Sequence, residues 1–247
     1  MSINTKEYEV EALQFLASPE IGRDYYFNGE DIEIINALKQ VIAIYKAEKR
    51  FGLNIINPNM SLSASETTLE STDEKQRISH MSTLSRCSDE LINSRPTSWS
   101  FENGQDIFSA ACRGYCNYSD YKHSNLHSSN VTFDSCDLTG KNERDVQDID
   151  SVALPTDISA LPHIDDVAHF SEEDSVVLNA LKEIIVSYSQ EHRIGIMLIH
   201  KHFDVSSTEV LLEKYINESR ETVVFAADVG EDRSNLAASA ILFKKVH

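Results

Sequence analysis

Apolar residues recur at helical spacing in two long stretches of the chain. Behind the polar residues 28–31, apolar side chains fall at i, i+3, i+4 and i+7 as far as residue 50, which predicts an amphipathic helix. The same spacing follows the polar residues 171–174 and predicts a second helix that ends near residue 188. A third, shorter helix is predicted over 5–17, with Thr5 as its N-cap.

Each of the two longer helices is followed by apolar runs of strand length. Gly52 and Gly195 open the first run after each helix. The strands predicted after the second helix are Glu209–Ile216, Thr222–Ala227 and Ala240–Val246. After the first helix, later strands are predicted near 98–102 and 107–115, beyond a polar insertion at 71–96.

The two helix-and-strand stretches also resemble each other residue by residue. Residues 27–70 and 170–213 align without a gap and are identical at 17 of 44 positions. Because the cap, the glycine and the following strand stay in register, we interpret the similarity as a tandem duplication. One helix followed by about four sequential strands predicts a helix packed on an antiparallel β-meander, which is an α+β unit.

The predicted organisation is therefore two repeats joined by a linker. The first repeat covers 1–116, the second covers 151–247, and the acidic segment 117–150, rich in Ser, Thr and Asn, is typical of a linker. Two such units can pack about a pseudo-twofold axis into one body or remain separate bodies, and the sequence does not choose between these arrangements.

Two histidines one residue apart follow the first strand of the second repeat. Because side chains at i and i+2 of a strand share a face, His200 and His202 can approach one ion. Glu209 and Glu213 in the next strand can supply a carboxylate, which gives the two-histidine, one-carboxylate set suited to iron or another divalent metal. In the alternative interpretation the histidines hydrogen-bond loop backbone or water, since the aligned positions of the first repeat hold asparagine.

A second candidate site contains two thiols and two imidazoles. Cys112, Cys116, His123 and His127 offer the ligand set of a structural zinc site at the start of the linker. The alternative is that Cys112 is a small buried apolar side chain within a strand.

The stretch Gly-Ile-Met-Leu-Ile-His-Lys-His-Phe, followed by Glu-Val-Leu-Leu-Glu, resembles uncharacterised fungal proteins that carry a similar strand ending in His-x-His. That resemblance implies no activity. The spacing Gly-x4-His-x-His-x6-Glu is also similar to the first motif of the cupins. It lacks the closing glycine and a second motif, and a long helix directly before it is not typical of a jelly roll.

Charge and composition exclude several classes of function. The net charge of −18 is distributed over both repeats and the linker, so nucleic acids and anionic membranes would be repelled. The eight glycines are too dispersed for a dinucleotide fingerprint or a phosphate-binding loop. The chain has no secretory signal and no apolar run long enough to span a membrane, which predicts a cytoplasmic or nuclear protein.

Two hypotheses of function remain. The first is a non-catalytic binding or interaction module with a protein or small-molecule partner, favoured by the duplication and by the missing cofactor motifs. The second is a metal-dependent enzyme that uses the His-x-His pair and a carboxylate of the second repeat. No organic cofactor is predicted, and a divalent metal is required only by the second hypothesis.

Overall fold

The computed structural model describes residues 7–17, 23–60, 62–101, 112–117, 154–229 and 236–246. The α-helices are α1 (Ile32–Tyr45) and α2 (Glu172–Ser187). The strands are β1 (Tyr8–Ala17), β2 (Phe51–Ile55), β3 (Glu66–Asp73), β4 (Ile78–Ser85), β5 (Ser94–Trp99), β6 (Cys112–Asn117), β7 (Leu154–Pro155), β8 (Ile194–Leu198), β9 (Glu209–Ile216), β10 (Glu221–Asp228) and β11 (Leu236–Lys245). Neither α-helix is long and apolar enough to cross a membrane.

All eleven strands of the described residues belong to one mixed sheet. Its order is β11-β2-β8-β5-β6-β3-β4-β10-β9-β1-β7, and β11 pairs with β1 as well as with β2. The sheet therefore curls until the chain of strand pairings returns to its start, with the two-residue β7 added beside β1. Pairing is antiparallel except between β1 and β7, β1 and β9, and β3 and β6.

The prediction of an α+β protein made from two helix-plus-meander repeats is wrong. The hairpins β3–β4 and β9–β10 form as a meander requires, but β2 pairs with β8 and β4 pairs with β10 across the predicted repeats. Separate meanders would leave these strand edges without hydrogen-bond partners, whereas one curled sheet satisfies them. The predicted linker 117–150 lies outside the described residues except for Asn117, the last residue of β6.

Some of the predicted helices and strands are present in the structure and others are not. The two longer helices form, and β9 has the predicted ends. The predicted end of the first helix near residue 50 is wrong, since α1 ends at Tyr45, where Lys46 takes the left-handed conformation. The predicted helix 5–17 is wrong because this segment forms β1, which pairs with β11 from Tyr8↔Lys245 to Ala17↔Leu236. These long-range hydrogen bonds override the local helical spacing. The predicted insertion 71–96 is also wrong, since it contains the whole of β4.

Both helices pack side by side on one face of the sheet and form the main hydrophobic core with it. Leu38 and Ile42 of α1 and Leu178 and Leu181 of α2 are fully buried in this core. They pack over alternate residues of the strands, including Phe51, Leu53, Ile194, Ile196, Ile241 and Phe243. The opposite face carries a smaller apolar cluster, formed by Leu13, Ile158, Ile199, Leu211, Val224, Ala240 and Leu242.

Gly52 and Gly195 lie where neighbouring strands leave no room for a side chain. A Cβ at Gly52 would lie 2.7 Å from Leu242 Cδ2 and 2.8 Å from the carbonyl oxygen of Ile241. A Cβ at Gly195 would lie 2.9 Å from Asn54 Oδ1 and 3.0 Å from the carbonyl oxygen of Trp99. Both strands therefore depend on glycine for close backbone packing.

Candidate metal site

The face of the sheet opposite the helices borders a partly open cavity of about 120 Å³. Eight strands, the segment after β8 and the short 3-10 helix Ile158–Ala160 contribute to its wall. Its apolar side chains are Leu13, Ile55, Met81, Ile158, Met197, Phe203, Leu211 and Val224. Its polar and charged side chains are Gln14, Asn54, Thr68, Glu70, Ser79, Thr97, Ser98, His200, Lys201, His202 and Glu213.

Glu70, His200 and His202 meet in the wall of this cavity. The Nε2 atoms of His200 and His202 lie 3.2 Å apart. Glu70 Oε1 lies 3.2 Å from His202 Nε2, and Glu70 Oε2 lies 3.9 Å from His200 Nε2. Within the described residues, these three side chains are the potential metal ligands whose donor atoms lie close enough together to share one ion.

The spacing of these atoms fits the face of a metal coordination shell. Ligand atoms about 2.1 Å from an ion are about 3.0 Å apart at a right angle and about 3.4 Å apart at the tetrahedral angle. The two distances of 3.2 Å fall between these values, and the third requires only that Glu70 turn slightly. Two imidazoles and one carboxylate are a donor set typical of iron and zinc sites.

The histidine segment is held by backbone hydrogen bonds on both sides. The amide of Ile199 donates to the carbonyl of Arg50 at 3.0 Å, and the amide of Lys201 donates to the carbonyl of Pro162 at 2.9 Å. The carbonyl of Lys201 in turn accepts from the amide of Ile164 at 2.9 Å. His163 Nε2 donates to the carbonyl of His202 at 3.2 Å. The segment therefore holds both imidazoles toward the cavity, whose wall also includes Lys201.

A further hydrogen bond fixes the tautomer of His200. Its Nδ1 lies 2.9 Å from the carbonyl oxygen of Leu198 and must donate, because a carbonyl only accepts. In the neutral ring the lone pair is then on Nε2, the atom that faces Glu70 and His202. His200 thus bonds the backbone of β8 through one nitrogen, while its other nitrogen faces Glu70 and His202.

Glu70 is placed by β3, where it pairs with Met81 of β4. Its side chain is only 17% exposed. Burial opposes ionisation of this carboxyl, but attraction to His202 and the hydrogen bond from His202 outweigh burial and hold its pKa well below the ordinary value of 4.5. The group is therefore a carboxylate at neutral pH.

The two glutamates proposed from the sequence occupy different surroundings. Glu209 accepts from Arg77 Nη1 at 2.9 Å and from the amide of Ser206 at 2.9 Å, and the hydrogen bond from Arg77 lowers its pKa to about 2. Glu209 is therefore engaged outside the cluster. Glu213 lines the same cavity as His200 and His202 but does not belong to the group of three.

Glu70 was missed because the carboxylate was sought in the strand that follows the histidines. A signal for it existed, since Leu69-Glu70 aligns with Leu212-Glu213 in the sequence comparison. What the sequence does not reveal is that β3 and the end of β8 border one cavity. The side chain that completes the cluster thus comes from the first predicted repeat.

The four residues proposed for a structural zinc site are described only in part. Cys112 and Cys116 lie at positions 1 and 5 of β6, while His123 and His127 lie outside the described residues. The zinc site stays a prediction.

Comparisons with models of protein families, with curated proteins and with solved structures give no significant match to this chain. The function is therefore argued from the geometry and chemistry of the site itself.

Proposed function

We propose that this protein binds a divalent transition-metal ion through Glu70, His200 and His202, and that the ion holds a small ligand inside the cavity of the curled sheet. The observation that carries the proposal is the close approach of one carboxylate and two imidazole nitrogens in the cavity wall. The proposal keeps the binding function favoured by the sequence and adds the metal of the competing hypothesis.

The chemistry of the three side chains supports a transition metal rather than calcium or magnesium. Imidazole nitrogens suit zinc, iron and copper, whereas calcium and magnesium prefer oxygen ligands throughout. His200 offers Nε2 because its Nδ1 donates to Leu198, the outer-shell arrangement that orients metal-binding histidines. Zn²⁺ and Fe²⁺ are the ions that this donor set fits best.

The electrostatics of the cluster also favour a cation. The side chains of His200, His202 and Glu70 are 8%, 11% and 17% exposed, so a charge placed between them is poorly hydrated. A buried carboxylate is costly unless it is paired, and a metal ion pairs it directly while binding two neutral imidazoles. A proton on His202 Nε2 can bridge to His200 Nε2 and to the Glu70 carboxylate, and a bound ion would take the place of that proton.

Three protein ligands leave positions open on the metal. A four-coordinate ion would have one such position and a six-coordinate ion three. Because the three ligand residues line the cavity, these positions face its interior. A small ligand entering the cavity could therefore coordinate the ion directly.

A Co²⁺ titration tests the metal site. The protein is treated with a chelator, and Co²⁺ is added while its visible absorbance is followed, since the intensity and position of these bands report the ligand set. We expect one Co²⁺ per chain, displaced by Zn²⁺. Replacement of a ligand in Glu70→Gln, His200→Ala or His202→Ala should weaken affinity by about 100-fold or more, beyond the 10- to 100-fold losses seen when outer-shell partners are removed.

Two matched variants serve as controls. Glu209→Gln removes a carboxylate that is bound to Arg77, and His192→Ala removes an exposed imidazole. Both should bind Co²⁺ with an affinity within about threefold of the unmodified chain, because neither side chain belongs to the cluster. Equal affinities in the ligand variants and the controls would refute the proposed site.

A further inference from the structure

A second cavity, of about 360 Å³, adjoins the cavity that contains the proposed metal ligands. The two cavities have six lining residues in common, and these come from β2, β3, β4, β5 and β9. The shared residues are Asn54, Ile55, Thr68, Met81, Ser98 and Glu213. The metal-site cavity and the second cavity therefore meet along a broad boundary rather than at a single side chain.

The register of the strands places this boundary beside the metal site. Met81 of β4 pairs with Glu70 of β3 on one side and with Thr222 of β10 on the other. Directly paired residues of antiparallel strands point to the same face, so these three side chains form a row. Glu70 lines the metal-site cavity, Met81 lines both cavities, and Thr222 lines the second cavity. Because neighbouring strands lie about 4.8 Å apart, the row runs from the metal ligand to the second cavity in about 10 Å.

The alternation of side chains along β3 leads to the same conclusion. Thr68 lies two residues before Glu70, so the two side chains share a face and are about 7 Å apart. Thr68 borders both cavities, whereas Glu70 borders only the metal-site cavity. A group bound to the metal beside Glu70 is thus separated from the second cavity by about the length of a short alkyl chain.

The second cavity offers apolar surface to a ligand. The segment after β2 contributes four apolar lining residues, which are Ile56, Pro58, Met60 and Leu62. The hydroxyl of Thr222 donates to Met60 Sδ at 3.7 Å and so holds this methionine against the boundary row. Small-molecule sites are typically ~300–1,000 Å³ in volume and are lined largely by apolar groups with a few polar ones. The second cavity therefore suits the apolar body of a ligand, whereas the metal-site cavity suits its polar end.

We propose that the ligand held by the metal is an elongated molecule, with a metal-coordinating group at one end and an apolar body that passes Met81 and Thr68 into the second cavity. This inference rests on the proposed metal site. It adds the shape and the chemical class of the ligand, which the metal site alone does not define.

Binding of 1-alkylimidazoles to the Co²⁺-loaded protein tests the inference. The ring coordinates the ion in every member of the series, and only the chain changes, from methyl to butyl and hexyl. Affinity is measured through the visible bands and through the heat of binding. Full burial of one CH₂ group raises affinity by about fourfold, so we expect a gain of more than about tenfold from 1-methylimidazole to 1-hexylimidazole. The compound 1-hexylpyrrole lacks the coordinating nitrogen and should leave the bands unchanged.

Two substitutions locate the alkyl chain. Met60→Ala removes apolar surface from the second cavity alone and should weaken 1-hexylimidazole binding by about tenfold, with 1-methylimidazole affected less than about threefold. Thr68→Phe adds a ring at the shared boundary and should bring the affinities of the two compounds within about threefold of each other. Thr208→Phe, at an exposed position before β9, is the matched control and should keep the full gain. Binding of one Co²⁺ per chain in each variant shows that its metal site has formed.

The outcomes distinguish this inference from the function on which it rests. A gain of less than about tenfold from methyl to hexyl, with Co²⁺ and the imidazole ring still bound, would overturn the inference and leave the metal site intact. An undiminished gain in both Met60→Ala and Thr68→Phe would also overturn it, because the alkyl chain would then lie outside the second cavity. Absence of Co²⁺ binding in the unmodified chain would overturn the metal site and this inference together.

Discussion

Arg193 and Asp31 form an ion pair between parts of the chain that lie 162 residues apart. Both guanidinium Nη atoms contact the carboxylate, and Nη2 also donates to the carbonyl of Tyr26 at 2.7 Å. Asp31 simultaneously accepts from the amide of Asn28 at 2.8 Å, at the start of α1. The arginine before β8 therefore positions the helix that precedes β2.

A second ion pair joins the same two parts of the chain, with the arginine and the aspartate exchanged between them. Arg50 donates from Nε and Nη2 to Asp174 at 2.9 and 2.7 Å, and Asp174 accepts from the amide of Ser171 at the start of α2. Each arginine thus reaches the N-terminal end of the other helix, where a carboxylate is favoured by the helix dipole. The two helices and the strands β2 and β8 are joined by these contacts into one structure.

Removal of Arg193 should destabilise the protein strongly. Its side chain is 11% exposed and that of Asp31 is 5% exposed, so Arg193→Ala leaves a buried carboxylate without its cation. We expect a loss of about 3–5 kcal/mol in the free energy of unfolding. Urea unfolding can be followed by the fluorescence of Trp99, the single tryptophan, which is buried against Phe51 and Phe170.

The double variant Arg193→Ala/Asp31→Asn should be more stable than Arg193→Ala, because it removes the unpaired charge. Lys245→Ala is the surface control, since Lys245 and its partner Glu7 are 44% and 51% exposed. Its effect should be below about 1 kcal/mol. A similar loss in Arg193→Ala and Lys245→Ala would contradict the structural role assigned to Arg193.

Alanine at Gly195 should strain the contact of β8 with its neighbours. The added Cβ would be 3.0 Å from the backbone carbonyl of Trp99, which cannot move away as a flexible side chain could. We expect a destabilisation of about 1–3 kcal/mol, measured by urea unfolding. Asn36→Ala, an exposed change in the middle of α1, should alter stability by less than about 0.5 kcal/mol. No loss in Gly195→Ala would argue against the close packing at this position.

Acid should weaken the protein through two carboxylates bound to arginine. Hydrogen bonds from Arg220 and Arg77 lower the pKa of Glu66 and of Glu209, each to about 2 in the folded protein. A carboxyl whose pKa is lower in the folded than in the unfolded protein stabilises the fold at pH values above its ordinary pKa of 4.5. This stabilisation is lost as the pH falls from about 4.5 to about 2. Urea unfolding across this range should show the decline. The double variant Glu66→Gln/Glu209→Gln should be less stable near neutrality, and its free energy of unfolding should change less with pH. An equally steep decline of the free energy of unfolding in this variant would contradict the prediction.

Metal binding should raise the stability of the fold. An ion that binds the folded chain alone, at about 100 times its dissociation constant, adds about 2.7 kcal/mol to the free energy of unfolding. Thermal unfolding with Zn²⁺ should therefore show a higher midpoint than unfolding in chelator. Glu70→Gln should abolish the difference, whereas Glu209→Gln should retain it because its carboxylate lies outside the cluster. A Zn²⁺ effect of equal size in both variants would place the ion elsewhere.

Local patterns in the chain were sufficient to locate most of the regular elements. The capping residues Asn28 and Ser171 mark the starts of helical segments as predicted, because their side chains accept from backbone amides of the first turn. The β1 segment was missed because Tyr8, Val10, Ala12 and Leu13 fit either period, and only pairing with β11 resolves the ambiguity.

The sequence did not reveal which strands pair with each other, and the candidate site depends on this pairing. An alternating pattern shows which face of a strand is buried but not which strand lies beside it. His200 and His202 were predictable as a pair because i and i+2 share a face in local structure. Their third partner, Glu70, required knowledge that β3 and the end of β8 border one cavity, which follows from the closure of the whole sheet.

The pairing of β1 with β11 has a consequence for folding during synthesis on the ribosome. Residues 8–17 emerge well before their hydrogen-bond partners at 236–245. Contacts between such distant segments form slowly, so one edge of β1 stays unpaired until β11 has been synthesised. We expect the sheet to close only after β11 leaves the ribosome, and chaperones that shield exposed strand edges to bind the nascent chain until then.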